Sequence, residues 1–155
     1  MKKRLVYAII IASLLFIVVG CNNNKENKID NNSVENSGNK SNEVIKSVRA
    51  IINDREYIIH LEDNETAKAF VNLLPREYNM SELNGNEKYV YLDSSLPVNS
   101  HYPKRINAGD VMLYSNDCLV IFYESFDTSY SYTKIGHIDN LLNLGNDNIV
   151  VKFEK

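Results

Sequence analysis

The stretch Ile121-Phe-Tyr-Glu-Ser-Phe-Asp-Thr-Ser-Tyr-Ser-Tyr-Thr-Lys134 concentrates aromatic rings and hydroxyls. Read as a strand, Cys118–Glu124 sends Leu119, Ile121 and Tyr123 to one face and Cys118, Val120, Phe122 and Glu124 to the other. Tyr130 and Tyr132 share a face where their stretch is extended, with Ser129, Ser131 and Thr133 opposite. Rings edged by hydroxyls suit a shallow amphipathic groove for a peptide or another small ligand. Phe122, Tyr123, Phe126, Tyr130 and Tyr132 are its candidate residues. The same rings also suit the interior of a barrel in a chain that has no Trp.

Other reactive groups are scattered. Arg105, beside Lys104 and ahead of the Gly109-Asp110 turn, offers either a cation to a ligand or a solvated loop charge. His137 follows Gly136 and is placed to act near the groove as acid, base or hydrogen-bond donor. His60 falls in a strand and His101 in a loop, without a second ligand at metal spacing, so no metal is expected. Glu124 and Asp127 are a possible carboxylate pair, and Asp110 ties a turn. Cys118, between apolar neighbours, reads as a small buried hydrophobe rather than a nucleophile. No Gly-rich phosphate loop, nucleophile elbow or His-Glu metal motif occurs, and no cofactor is expected.

These residues occupy only part of a 155-residue chain with 17 Lys+Arg, 20 Asp+Glu and a net charge of −3, which argues against nucleic acid as a partner. Two cysteines make no disulfide scaffold. The apolar residues are unevenly spread. Lys2, Lys3 and Arg4 precede an apolar run over 5–20, short of the roughly 20 residues that span a bilayer but right for a signal peptide. Val18-Val19-Gly20-Cys21 resembles a bacterial lipobox. That resemblance implies cleavage after Gly20, lipidation of Cys21, and a protein anchored to the outer face of the plasma membrane. Residues 22–43 hold only Ile29 and Val34 as aliphatic residues, so the segment 21–43 reads as a lipidated Cys and a disordered tether of about 25 Å mean reach. The foldable domain is then 44–155, after a signal peptide over 1–20.

Within that domain the pattern predicts strands at Ile45–Ile52 and Glu56–Leu61 joined by a hairpin turn at Asn53-Asp54-Arg55. Asp63-Asn64-Glu65-Thr66 supplies a helix cap, and Ala67, Phe70, Val71 and Leu74 form one apolar helical face before Pro75 stops it. Strands follow at Arg76–Leu83, Lys88–Leu92, Val111–Tyr114 and Cys118–Glu124, with Ser115-Asn116-Asp117 as another hairpin turn. A helical turn is expected at Ile138–Leu144 and a last strand at Ile149–Phe153. Many short strands with one solid helix predict a mainly β domain, an antiparallel barrel or sandwich with helical caps.

The runs Leu61–Phe70, Leu73-Leu74-Pro75, Gly109–Tyr114, Phe122–Phe126 and Ser129–Gly136 together resemble the bacterial cyclophilin-like domain family, over nearly all of 45–155. The resemblance implies a closed antiparallel β-barrel capped by one or two short helices. Prolyl isomerases of that fold use an Arg that polarises the prolyl amide, in a groove of Phe, Gln and His side chains. The motifs around those residues are not found here, so the resemblance carries fold rather than activity. The expectation is a membrane-anchored binding module for a peptide or small molecule. The alternative is an extracytoplasmic peptidyl-prolyl isomerase, with Arg105 stabilising the twisted amide and His137 as a polar partner.

Overall fold

The computed structural model describes residues 44–155; the apolar leader, Cys21 and the polar segment to residue 43 lie outside the described residues. Ten strands and one helix follow in the order β1 (Ser47–Ile52), β2 (Arg55–Leu61), α1 (Glu65–Asn72), β3 (Arg76–Leu83), β4 (Glu87–Tyr91), β5 (Arg105–Ile106), β6 (Asp110–Tyr114), β7 (Cys118–Phe122), β8 (Phe126–Asp127), β9 (Thr133–Ile138) and β10 (Ile149–Glu154). Eight of the strands close a barrel in the order β1-β10-β3-β4-β7-β6-β9-β2, and β5 pairs with β8 as a separate two-stranded ribbon. All pairings are antiparallel.

Local chemistry accounts for the hairpins. Asn53 and Asp54 both have positive φ, the geometry that matches a two-residue turn to the twist of β1 and β2, and Asn and Asp tolerate it. Alternation then fills the barrel: Val48, Ala50 and Ile52 from β1 and Ile149, Val151 and Phe153 from β10 point inward and are buried. The helix packs its apolar face into the same core, where Phe70 meets Phe153 edge to face at 5.4 Å. Its N-terminus is fixed by Asn64, whose Oδ1 accepts from Ala67 N at 2.8 Å while Nδ2 donates to Lys134 O at 2.8 Å. β2 and β9 approach so closely that a Cβ on Gly136 would lie 2.5 Å from His60 O and 2.9 Å from Ile59 Cγ2.

A second, smaller core lies outside the barrel. Met112, Cys118, Val120 and Phe122 from the outer face of β6 and β7 pack with Ile106 and Tyr132, against Tyr89 and Phe126. The sheet is therefore buried on both faces over Asp110–Leu113 of β6 and all of β7, which explains the unbroken burial there.

The barrel resolves the choice between barrel and sandwich. The expected helical turn at Ile138–Leu144 is absent: Ile138 ends β9, and residues 139–148 form an irregular connection containing Asn140 at φ 55°. Its apolar Leu144 is buried without helical spacing, having been drawn in by the core rather than by a helix face. One helix, rather than two, is found among the described residues. The strand expected to reach Glu124 ends at Phe122, and β9 and the two-residue strands β5 and β8 are additions.

Candidate functional site

The outer face of β4, β7 and β6 carries a groove built from strand register. Tyr91 stands opposite Cys118, which stands opposite Tyr114; one row along, Tyr89 stands opposite Val120, and Val120 opposite Met112. Beyond these, Glu87 stands opposite Phe122. Because side chains alternate along β4, Glu87, Tyr89 and Tyr91 share the outward face while Lys88 turns inward. Lys88 is fully buried, donates to Gly145 O at 2.7 Å and Asp147 O at 2.8 Å, and lies 4.9 Å from the centre of the Tyr123 ring. Burial holds its pKa below the ordinary value.

The segment between β8 and β9 closes the far wall. Tyr114 meets Tyr130 edge to face at 6.0 Å and Tyr132 at 5.6 Å, while Tyr132 stands perpendicular to Phe122 at 5.5 Å. The result is an open cleft of about 310 Å³, floored by Cys118 and Val120, walled by five tyrosines and carrying Glu87 and Asn84 at its rim. A smaller recess of about 160 Å³ shares Asn84, Glu87, Tyr130 and Tyr132 and adds Asn86, Asp127 and Thr128. Among the described residues no Lys, Arg or His lines either. The larger volume falls at the low end for small-molecule sites.

Electrostatics differ along the cleft. Burial, and then the nearby Glu82 charge, push the Glu87 carboxyl up to about 7. Burial, Asp117 and Glu87 push the Cys118 thiol up to about 11, so it is a wall and not a nucleophile at neutral pH. Burial, followed by Glu87, also raises the Tyr132 phenol.

The structure divides the candidates chosen from sequence. Tyr130, 59% exposed, and Tyr132, 7% exposed, line the cleft together. Phe122 is fully buried beneath Tyr132, and Phe126 packs on Phe122 at 5.6 Å and lines the smaller recess. Tyr123 faces the barrel interior, where its hydroxyl donates to Glu82 Oε1 at 3.3 Å. Arg105 sits on the β5–β8 ribbon, paired with Asp127 at 3.0 Å, and does not line the cleft.

His137 belongs to a different row on the outer face. Register sets it between Asp110 of β6 and His60 of β2. The buried Asp110 takes Asn107 N on Oδ2 at 2.9 Å, and its Oδ1 lies 3.1 Å from both Lys134 Nζ and His137 Nδ1. Asp139 lies 3.4 Å from His60 Nε2 and 3.7 Å from His137 Nε2. No group of three or more such residues among the described residues is arranged to hold a metal ion. His101 contributes backbone, exchanging 3.0 Å hydrogen bonds with Tyr132 and so fixing the far wall.

Glu87, Tyr89, Tyr91 and Tyr114 join the cleft in addition to the residues expected from sequence. The alternation Glu87, Tyr89, Tyr91 was the available signal, since a strand there must present all three on one face.

Residues 50–154 match the Cyclophilin-like family. Neither a curated protein nor a solved structure matches the chain. With that match over most of its length, and a closed antiparallel barrel capped by a helix, the chain belongs to the cyclophilin-like family.

Proposed function

We propose that this chain is an extracytoplasmic lipoprotein, anchored through Cys21, whose barrel binds a peptide or small ligand in the tyrosine cleft without catalysing a reaction. One observation carries the binding reading: Tyr91, Tyr114 and Tyr130 remain 65%, 42% and 59% exposed although each is part of an ordered aromatic wall. Rings serving only as core would be covered, as Phe70 and Phe153 are. The lipobox-like Val18-Val19-Gly20-Cys21 supports the anchor, which would hold the cleft outside the cell membrane. Against an isomerase stands Arg105, whose guanidinium is paired with Asp127 and does not line the tyrosine cleft.

The test uses the full chain in a non-ionic detergent with labelled tyrosine rings, titrated with Xaa-Pro and other short peptides. The expected result is saturable shifts of Tyr91, Tyr114 and Tyr130 without cis–trans exchange cross-peaks from the peptide. Uncatalysed exchange takes tens of seconds or more, so cross-peaks would establish catalysis and put the isomerase in place of the binder.

A further inference from the structure

The cleft also carries information about what it would hold. Its aromatic walls flank one open cleft, with Tyr89 and Tyr91 on β4 at 6.0 Å and Tyr114 with Tyr130 and Tyr132 opposite. Tyrosine faces attract cations through the ring quadrupole. Among the described residues the one carboxyl lining the larger cleft is Glu87, an anion above about pH 7, and no basic residue lines the cleft to compete.

We propose that the cleft recognises an organic cation bearing N–H donors, the guanidinium or ammonium end of an Arg or Lys side chain on a bound peptide. The cation lies between the tyrosine walls, and its N–H groups donate to the Glu87 carboxylate. This deepens the peptide-binding reading and rests on it. Guanidinium suits the site better than a compact ammonium, because its flat face stacks on rings while its edge donates in several directions.

The experiment titrates the full chain at about pH 8, where Glu87 is ionised, in a non-ionic detergent with labelled tyrosine rings, with a capped Gly-Arg-Gly peptide and its citrulline counterpart. Citrulline keeps the planar shape but replaces one guanidinium NH2 by a carbonyl oxygen, which removes the charge and two of the five N–H donors. The expected result is shifts of the Tyr89, Tyr91, Tyr114 and Tyr130 rings at roughly ten-fold lower concentration for the arginine peptide. Glu87→Gln should bring the two peptides to within about three-fold of each other while the Tyr57 and Tyr78 resonances stay in place as a check on folding. Methylguanidinium alone shifting the same rings as strongly would assign the cation to a free solute rather than a peptide, overturning that part. Equal response to both peptides overturns the cation preference and leaves an aromatic peptide cleft. The same holds if neither acts but Xaa-Pro peptides shift the rings. Silence from every ligand overturns the binding reading itself.

Discussion

Tyr91 and Tyr114 both stand opposite Cys118, one from each neighbouring strand, so the width of the tyrosine cleft is set by one strand. That strand is held on both faces: Leu119 and Ile121 are buried in the barrel, Cys118 and Val120 in the outer core. The exposed tyrosines therefore rise from a floor that cannot easily move. Preorganisation of this kind reduces the ordering cost of binding. The outer core beneath the cleft explains why rings adjacent in sequence end in different places, with Phe122 under the wall and Tyr123 inside the barrel.

Arg105 should be dispensable. Its pairing with Asp127 is solvent-exposed on both sides, and such pairs contribute about 0–1 kcal/mol. Arg105→Ala is expected to leave the urea midpoint and the peptide-induced tyrosine shifts unchanged. Loss of binding in this variant would return Arg105 to the site and favour the isomerase reading.

Glu87 should make stability depend on pH. Its folded pKa of about 7 lies above the ordinary 4.5, so the folded chain holds a proton that the unfolded chain releases between those values. This contribution is complete below about pH 4.5 and is lost as pH rises through about 7, at a cost on the order of 2–3 kcal/mol. Glu82 from β3 adds its charge to the burial that raises Glu87, and Cys118 and Tyr132 face the same carboxyl. Urea unfolding at about pH 5 and about pH 8 should show wild type losing more stability than Glu87→Gln. Parallel losses in the two proteins would mean that Glu87 is ionised and solvated throughout.

How much of this was readable beforehand differs between fold and site. β3 matches its expected limits, Arg76–Leu83, because Pro75 starts it and Asn84-Gly85 ends it, both local signals. The β1–β2 and β6–β7 hairpins were likewise local. The two-residue strands β5 and β8 have no periodicity to detect, and the stretch after Ile138 carried leucines at plausible helical spacing that the core used without a helix. For the cleft, Tyr130 and Tyr132 stood out as a local cluster. Their partners Glu87, Tyr89 and Tyr91 came from β4, whose pairing with β7 joins strands that are not neighbours in sequence. That long-range register is a property of barrel closure, which no local pattern specifies.

Gly136 should tolerate no side chain. A Cβ there meets His60 O at 2.5 Å and Ile59 Cγ2 at 2.9 Å, one of them backbone and the other on a fully buried residue. Gly136→Ala must push β2 and β9 apart along the seam that also positions His60 and His137, and should lower stability by about 1–3 kcal/mol in urea. A wild-type midpoint would show that the seam is looser than described.

Ligand binding against the tyrosine wall can be probed at Tyr130. Its ring is exposed and touches Tyr114, so Tyr130→Ala removes wall without opening the core. The measurement is the dissociation constant of the best-binding peptide for wild type and Tyr130→Ala, read from the Tyr114 ring in the full chain. Affinity should weaken about five-fold or more, in line with loss of an exposed aromatic contact, with an unchanged urea midpoint. Equal affinity in the two proteins would contradict it and move the binding site off this face of the barrel.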